Sequence, residues 1–322
     1  MIWHASRESQ VGLAPEPHSA IMHVMSPSIS QIAPAAIGDD LDQVDTPALM
    51  IDLDAFERNI SAMAETCRAA GVRLRAHSKT HKCPEIARRQ VAAGAIGVCC
   101  QKVGEAEAMV AGDIEDVLIT NQIWGANKLA RVAELAKTAR IGICVDDAQN
   151  VADLSAAAVA AGAKLDVYVE IDVGAGRCGI APGDAAADLA QTVVDHDGLN
   201  FAGLQAYHGS AQHIRAINER GAAIGAACDH VKATLAALDR VGLSAKTVTG
   251  AGTGSFEFEA ASGLYQEMQC GSYIFMDADY AQNQDRVGNP FADFRHSLHV
   301  LVTVMSATKP GFAVVDAGHK AL

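Results

Sequence analysis

From Asp45 onward the chain repeats one pattern: a short apolar run, a polar residue or glycine, then an alanine-rich segment with helical periodicity. This alternation constrains the fold strongly, because a parallel strand buried on both faces needs a crossover helix before the next strand can lie beside it. The runs are Ala48-Leu49-Met50-Ile51-Asp52, the stretch around Val72-Arg73-Leu74-Arg75, Ile96–Cys100, Asp116–Thr120, Ile141–Val145, Leu165–Ile171, Phe201–Ala206 and Ala245–Thr249. They predict an α/β fold, a (β/α)8 barrel over residues 41–290, with its site on the loops that leave the strands. Asp54 is the expected N-cap of the first helix, which ends at Gly71.

The flanks read differently. Residues 1–40 are rich in Ser, Pro, His and Ala without the basic and apolar regions of a signal peptide, and are expected to be a disordered tail. Leu298–Met305 and Phe312–Asp316 read as two strands joined through Lys309-Pro310-Gly311. Two strands bury too little to stand alone, so residues 295–322 read as the start of a β-rich C-terminal domain that is truncated. A formal charge of -13 argues against the basic stripe that nucleic-acid binding requires. No apolar run approaches the ~20 residues that span a bilayer. The eight cysteines are scattered, with no CxxC pair, and read as reduced thiols of a cytoplasmic protein. A small-molecule substrate is the partner this leaves.

Polar residues cluster just after the apolar runs. Lys79 stands in Arg75-Ala76-His77-Ser78-Lys79-Thr80-His81-Lys82. An amine attacks a carbonyl only when unprotonated, and burial beside other cationic groups lowers a lysine pKa. Lys79 is therefore a candidate Schiff-base nucleophile, and a solvated basic loop is the plain alternative. Gly250-Ala251-Gly252-Thr253-Gly254-Ser255 offers unpaired N–H groups of the kind that hold a phosphate, or is a flexible turn. Arg177 leaves a glycine-flexed loop as a donor for a phenolate or carboxylate, or as half of a surface ion pair. Tyr207, His208 and His213 follow the Phe201–Ala206 run and are candidates for ring support and proton transfer, or structural residues. Asp277 and Asp279 are metal-like by composition, but two carboxylates alone fit turn and capping roles better.

Five ordered blocks match a known set: Arg75–Lys82, Gly97–Val103, Val169-Glu170-Ile171-Asp172 through Arg177-Cys178-Gly179, Gly252-Thr253-Gly254-Ser255, and Gln269–Tyr273 through Asp277–Tyr280. The sequence resembles the pyridoxal-phosphate enzymes with the alanine-racemase-type barrel, and among them the D-threonine aldolase, D-3-hydroxyaspartate aldolase and D-serine dehydratase group, with D-3-hydroxyaspartate aldolase the nearest in wording. The resemblance implies a homodimeric lyase that uses pyridoxal 5'-phosphate to cleave a D-configured β-hydroxy amino acid to glycine and an aldehyde. It implies that Lys79 holds the cofactor as an aldimine and that Arg177 faces its phenolic oxygen. Gln101, Tyr207, Gly252, Thr253, Gly254, Gly271, Ser272 and Tyr280 are then cofactor contacts, and His213 the base for the β-hydroxyl proton. A dehydratase of D-serine or hydroxyaspartate, or a non-catalytic cofactor-binding protein, is the alternative.

The relatives are also expected to hold a divalent metal (Mn, Mg or Zn) near the β-hydroxyl through C-terminal ligands. Here the sequence stops at Lys320-Ala321-Leu322, and His319 alone does not make a metal site, so the expectation is that these ligands are absent.

Overall fold

The computed structural model describes residues 35–318. The chain divides into two compact units, one formed by Leu49–Leu301 and the other by the flanking residues up to Ala48 and from Val302. Most of the expected tail and His319 lie outside the described residues.

The elements follow one another as β1 (Ala48–Ile51), α1 (Leu53–Ala69), β2 (Arg73–Leu74), β3 (Ala76–His77), α2 (Pro84–Ala92), β4 (Val98–Cys100), α3 (Val103–Ala111), β5 (Asp116–Ile119) and α4 (Ala126–Leu135). They continue with β6 (Arg140–Val145), α5 (Ala148–Ala161), β7 (Leu165–Glu170), α6 (Asp184–Val194), β8 (Leu199–Ala206), α7 (Ile217–Arg240), β9 (Thr247–Gly250), α8 (Phe256–Ala261) and β10 (Glu267–Met268). Strands β11 (Leu298–Leu301), β12 (Val304–Lys309) and β13 (Phe312–Val315) complete the order.

Local chemistry accounts for the boundaries. Asp52, not Asp54, caps α1: its Oδ1 accepts the Ala55 N–H at 3.0 Å, and Asp54 falls in the first turn. Gly71 reverses the chain with φ +69°, a conformation that costs glycine little. Pro84 opens α2, where its missing N–H is not needed. Asp147 caps α5, and left-handed Gly162 ends it.

The sheet is a closed parallel ring. β2 pairs with β10 and β3 pairs with β4, so β2 and β3 are two halves of one strand that meets both ends of the sheet. The barrel predicted from sequence is present, with two changes of membership. β1 lies outside the ring and pairs with β11. Its Leu49 is 63% exposed and Ile51 37%, whereas a barrel strand needs both faces covered. The last strand of the ring is β10 instead, within Gln266-Glu267-Met268-Gln269, too short and polar to stand out as an apolar run. The Gly250–Ser255 turn therefore follows the seventh strand of the ring, and Tyr207 the sixth.

Side chains alternate along the ring. Cys99, Leu118, Cys144, Tyr168 and Ala202 form a separate inner cluster, while Val98, Cys100, Val117, Ile119, Val167 and Val169 pack in the shell shared with the helices. At the N-terminal end of the inner face the seam is closed by charge. Arg75, 2% exposed, donates to Glu267 at 2.9 Å and to Asp116 at 2.5 Å; Glu267 also pairs with Arg73 at 3.0 Å. Arg140 links Asp116 and Asp166 on the neighbouring strands.

The predicted run Leu298–Met305 splits in two. β11 pairs with β1, and β12 pairs antiparallel with β13 through a turn in which Lys309 faces Phe312. In the smaller unit, Asp316 accepts from the Thr46 hydroxyl and the Thr303 N–H.

Candidate active site

The inward parity of the strands, continued past their C-terminal ends, generates one cavity. Its lining comprises His77, Lys79, Gln101, Thr120, Asn121, Arg177, Gln205, Tyr207, Ala251, Gly252, Thr253, Gln269, Gly271, Ser272 and Tyr280. His77, Gln101, Thr120 and Gln269 sit at even spacing from Arg75, Cys99, Leu118 and Glu267 on their own strands, so residues far apart in sequence converge on the mouth.

Lys79 leaves the end of β3 in a short 3-10 turn. Its amine lies 5.8 Å from the centre of the Tyr207 ring, and the Arg177 guanidinium lies 5.9 Å from the same ring. The lysine opens into the cavity but is crowded by protein. That crowding, and then the nearby Arg177, lower its pKa from the usual 10.5, so the free amine is more available than on a surface lysine.

His77 is a neutral brace under the lysine. The Lys79 N–H donates to Nδ1 at 3.3 Å, which leaves the proton on Nε2 to meet Thr120 Oγ1 at 3.1 Å; the Thr120 hydroxyl in turn donates to the Cys100 carbonyl. Burial, with Lys79, His81 and Arg177 nearby, holds the His77 pKa well below 6.5. Arg177 is half exposed and 3.7 Å from the buried Glu170, whose other oxygen accepts from Gln122 at 2.6 Å. On the floor, Gln205 and Gln269 exchange amide hydrogen bonds at 3.0 and 2.7 Å.

Two glycine-bearing segments meet at the same cavity. Among the described residues, no protein acceptor takes the N–H groups of Gly252, Thr253, Gly271 or Ser272. A Cβ on Gly252 would come within 2.5 Å of Gln212, and one on Gly271 within 2.8 Å of Thr80 and 2.9 Å of the His77 carbonyl. Thr253 Oγ1 accepts the Tyr273 N–H at 3.0 Å and ties the two segments together. Close backbone approach with several free donors is what an oxyanion with many acceptors requires.

Of the residues singled out from sequence, Lys79, Gln101, Arg177, Tyr207, Gly252, Thr253, Gly271, Ser272 and Tyr280 all line this cavity. Gly254 lies behind the turn, its N–H taken by Gln212 Oε1 at 2.9 Å. His213 sits outside the lining, its ring 5.5 Å from that of Tyr280 and its Nδ1 2.6 Å from Asp279. Asp277 accepts from the N–H groups of Asp279 and Tyr280, and Asp279 pairs with Arg215. Both carry out turn and pairing roles. Among the described residues no three His, Cys, Asp or Glu side chains gather as a metal site, and no helix is long and apolar enough to cross a membrane.

Comparison with known proteins bears on this geometry. The model of the alanine racemase, N-terminal domain, matches residues 51–279. The chain belongs to this family. A D-threonine aldolase from Arthrobacter sp. is 50% identical over 287 residues, covering 89% of this chain and 75% of the relative. A 3-hydroxy-D-aspartate aldolase from Paracoccus denitrificans (strain Pd 1222) is 47% identical over 292 residues, covering 89% and 76%. The crystal structure of D-threonine aldolase from Filomicrobium marinum superposes with a TM-score of 0.87 at 54% identity, covering 90% of this chain and 78% of that one. The resemblance read from the five sequence blocks thus holds.

The lining also includes residues not singled out individually from sequence: Thr120, Asn121 and Gln205, together with Ala251 and Gln269, which fell only within longer blocks. For three of them a signal existed. Thr120, Gln205 and Gln269 are polar residues in inward register at or near strand ends, visible once the parity of each strand is known.

Proposed function

We propose that the chain is a pyridoxal 5'-phosphate-dependent lyase that cleaves D-configured β-hydroxy amino acids of the threonine or 3-hydroxyaspartate type to glycine and an aldehyde. The observation that carries the reading is a crowded lysine opening into the same cavity as four unclaimed N–H groups on two glycine-bearing segments. Both relatives described above are aldolases acting on such substrates by name.

The residues fit the cofactor. The N–H groups of Gly252, Thr253, Gly271 and Ser272 would hold its phosphate, the two glycines allowing their segments to pack closely on Gln212 and on Thr80 and His77. Arg177 would balance the charge of its phenolic oxygen, Tyr207 and Gln101 would support the ring, and Tyr280 would close the mouth. When bound, pyridoxal phosphate supplies an electron sink for the pair released as the Cα–Cβ bond breaks. Lys79 would supply the amine that holds it, its protonated form disfavoured by crowding and by Arg177.

His213 is proposed as the acceptor of the β-hydroxyl proton. With Nδ1–H donated to Asp279, Nε2 is the free base, and the ring packs behind Tyr280 at the rim. No donor set for the expected divalent metal lies among the described residues, and no step is assigned to one. A cytoplasmic homodimer completes the proposal.

The test is chemical. The protein is mixed with pyridoxal phosphate, reduced with borohydride and digested, and the label is expected on Lys79. D-threonine and D-3-hydroxyaspartate, each with and without manganese, are expected to yield glycine and an aldehyde. Label on another peptide refutes the cofactor assignment, and ammonia with an oxo acid as sole products moves the chain to the dehydratases.

A further inference from the structure

Beneath the glycine-rich turn lies a carboxyl group that the proposed reaction does not use. Glu259, on α8, is 1% exposed. Its Oε1 accepts from Ser255 Oγ at 2.8 Å, and among the described residues its Oε2 has no partner. The chain of bonds continues upward. Gln212 Nε2 donates to Ser255 Oγ at 2.7 Å, and Gln212 Oε1 accepts the Gly254 N–H at 2.9 Å. Every donor in this series points the same way, from the turn toward Glu259. Asn283 fixes the series from the side by donating to the Gln212 carbonyl.

We propose that Glu259 is a positioning residue for anion binding, carrying a proton when the turn above it holds a phosphate dianion and taking one up if it was ionised beforehand. The inference rests on the cofactor reading above and concerns only this chain's own residues.

The surroundings leave the negative charge uncompensated. The titratable groups that sense Glu259 are Glu257 on its own helix, Cys228 on α7, Tyr265, Tyr207 and Cys270. None is a cation. Burial outweighs the bond from Ser255 and pushes the Glu259 pKa from 4.5 up to about 7. A second anion placed on the far side of Ser255 and Gln212 raises it further, since like charges in a poorly solvated region disfavour joint ionisation. A protonated Glu259 lets the turn receive phosphate without repulsion. An ionised one opposes it and polarises the Gly254–Gln212–Ser255 series away from the ligand.

The experiment uses the full chain and pyridoxine 5'-phosphate, which keeps ring and phosphate but has no aldehyde for Lys79 to capture. Binding is measured by calorimetry from pH 7 to 9, where the probe's phosphate remains dianionic, in buffers of different ionisation enthalpy. Wild type is expected to take up a fraction of a proton on binding near pH 7.5 and to bind roughly tenfold more weakly at pH 9 than at pH 7. Glu259→Gln, which keeps the shape and removes the charge, is expected to show neither effect. Glu259→Met provides a second neutral side chain if the amide folds poorly, and the infrared carboxyl band of the wild-type protein, growing on addition of probe, reads the proton directly.

Identical pH slopes and proton uptake in wild type and the neutral variants overturn the role of Glu259 while leaving the cofactor reading intact. Failure of the probe to bind, together with no borohydride label on Lys79, removes both.

Discussion

Glu267→Ala tests what closes the barrel. The substitution leaves Arg75, 2% exposed, with Asp116 as its one remaining carboxylate, and Asp116 is already shared with Arg140. Breaking a buried pair by deleting one member costs about 3–5 kcal/mol, because the surviving charge stays desolvated. Against a total stability of about 5–15 kcal/mol this is a large loss. At about 2–4 °C per kcal/mol it lowers Tm by roughly 6–20 °C. Arg73 adds little to the loss, since its side chain is about half exposed. The double variant Arg75→Met with Glu267→Met removes both charges and refills the seam with apolar volume, so it is expected to lie within about 2 kcal/mol of wild type. Urea unfolding followed by far-ultraviolet circular dichroism reads both, provided the slope is unchanged. A single substitution costing under about 1 kcal/mol, or a double costing more than the single, refutes the argument that an orphaned charge sets the penalty.

Arg177→Gln removes a neighbour that disfavours the Lys79 ammonium, so the lysine pKa rises and the free amine appears at higher pH; the rate of pyridoxal phosphate uptake, followed by absorbance, should have its pH midpoint shifted upward. Gly271→Ala drives a methyl against Thr80 and the His77 carbonyl, an overpacking that should cost about 1–3 kcal/mol of folding stability in urea unfolding and, by shifting the Gly271 and Ser272 donors, weaken cofactor binding in equilibrium titration. Glu259, with its pKa raised from 4.5 to about 7, favours the fold fully below pH 4.5 and loses that contribution as pH climbs toward 7. Relative to Glu259→Gln, wild type should therefore lose up to about 3 kcal/mol across that window and no more above it, as read by urea midpoints at each pH.

Much of this architecture is legible in the residues because parallel barrel strands buried on both faces advertise themselves as apolar runs. Asp116–Ile119, Arg140–Val145 and Leu165–Glu170 fall where the pattern places them. Ala48–Ile51 carries the same texture, yet its half-exposed face belongs to a different pairing, and apolar content alone does not distinguish the two. Glu267–Met268 is the converse case: an inward glutamate reads as a loop until Arg73 and Arg75 are seen to neutralise it. At the site, Lys79, Arg177 and the glycine-rich turn are visible as motifs. Gln205 and Gln269 are not, because their role depends on inward register, which a two-residue strand and the irregular β7–β8 register conceal. Glu259 is invisible for another reason: on a six-residue helix rich in glutamate, only burial separates it from Glu257.

The strand that carries Lys79 is the one on which the ring shuts, and the backbone donors that line the same cavity come from the seventh and eighth strands, some 170 to 190 positions later. A chain that has assembled only its first few units therefore possesses the nucleophile but not the anion seat. A ligand that touches both acts as a clasp across the join, and its binding energy adds to the closed form by mass action. Loading and completion of the ring are thus thermodynamically linked, so the loaded protein should resist opening at this join more strongly than elsewhere around the circle.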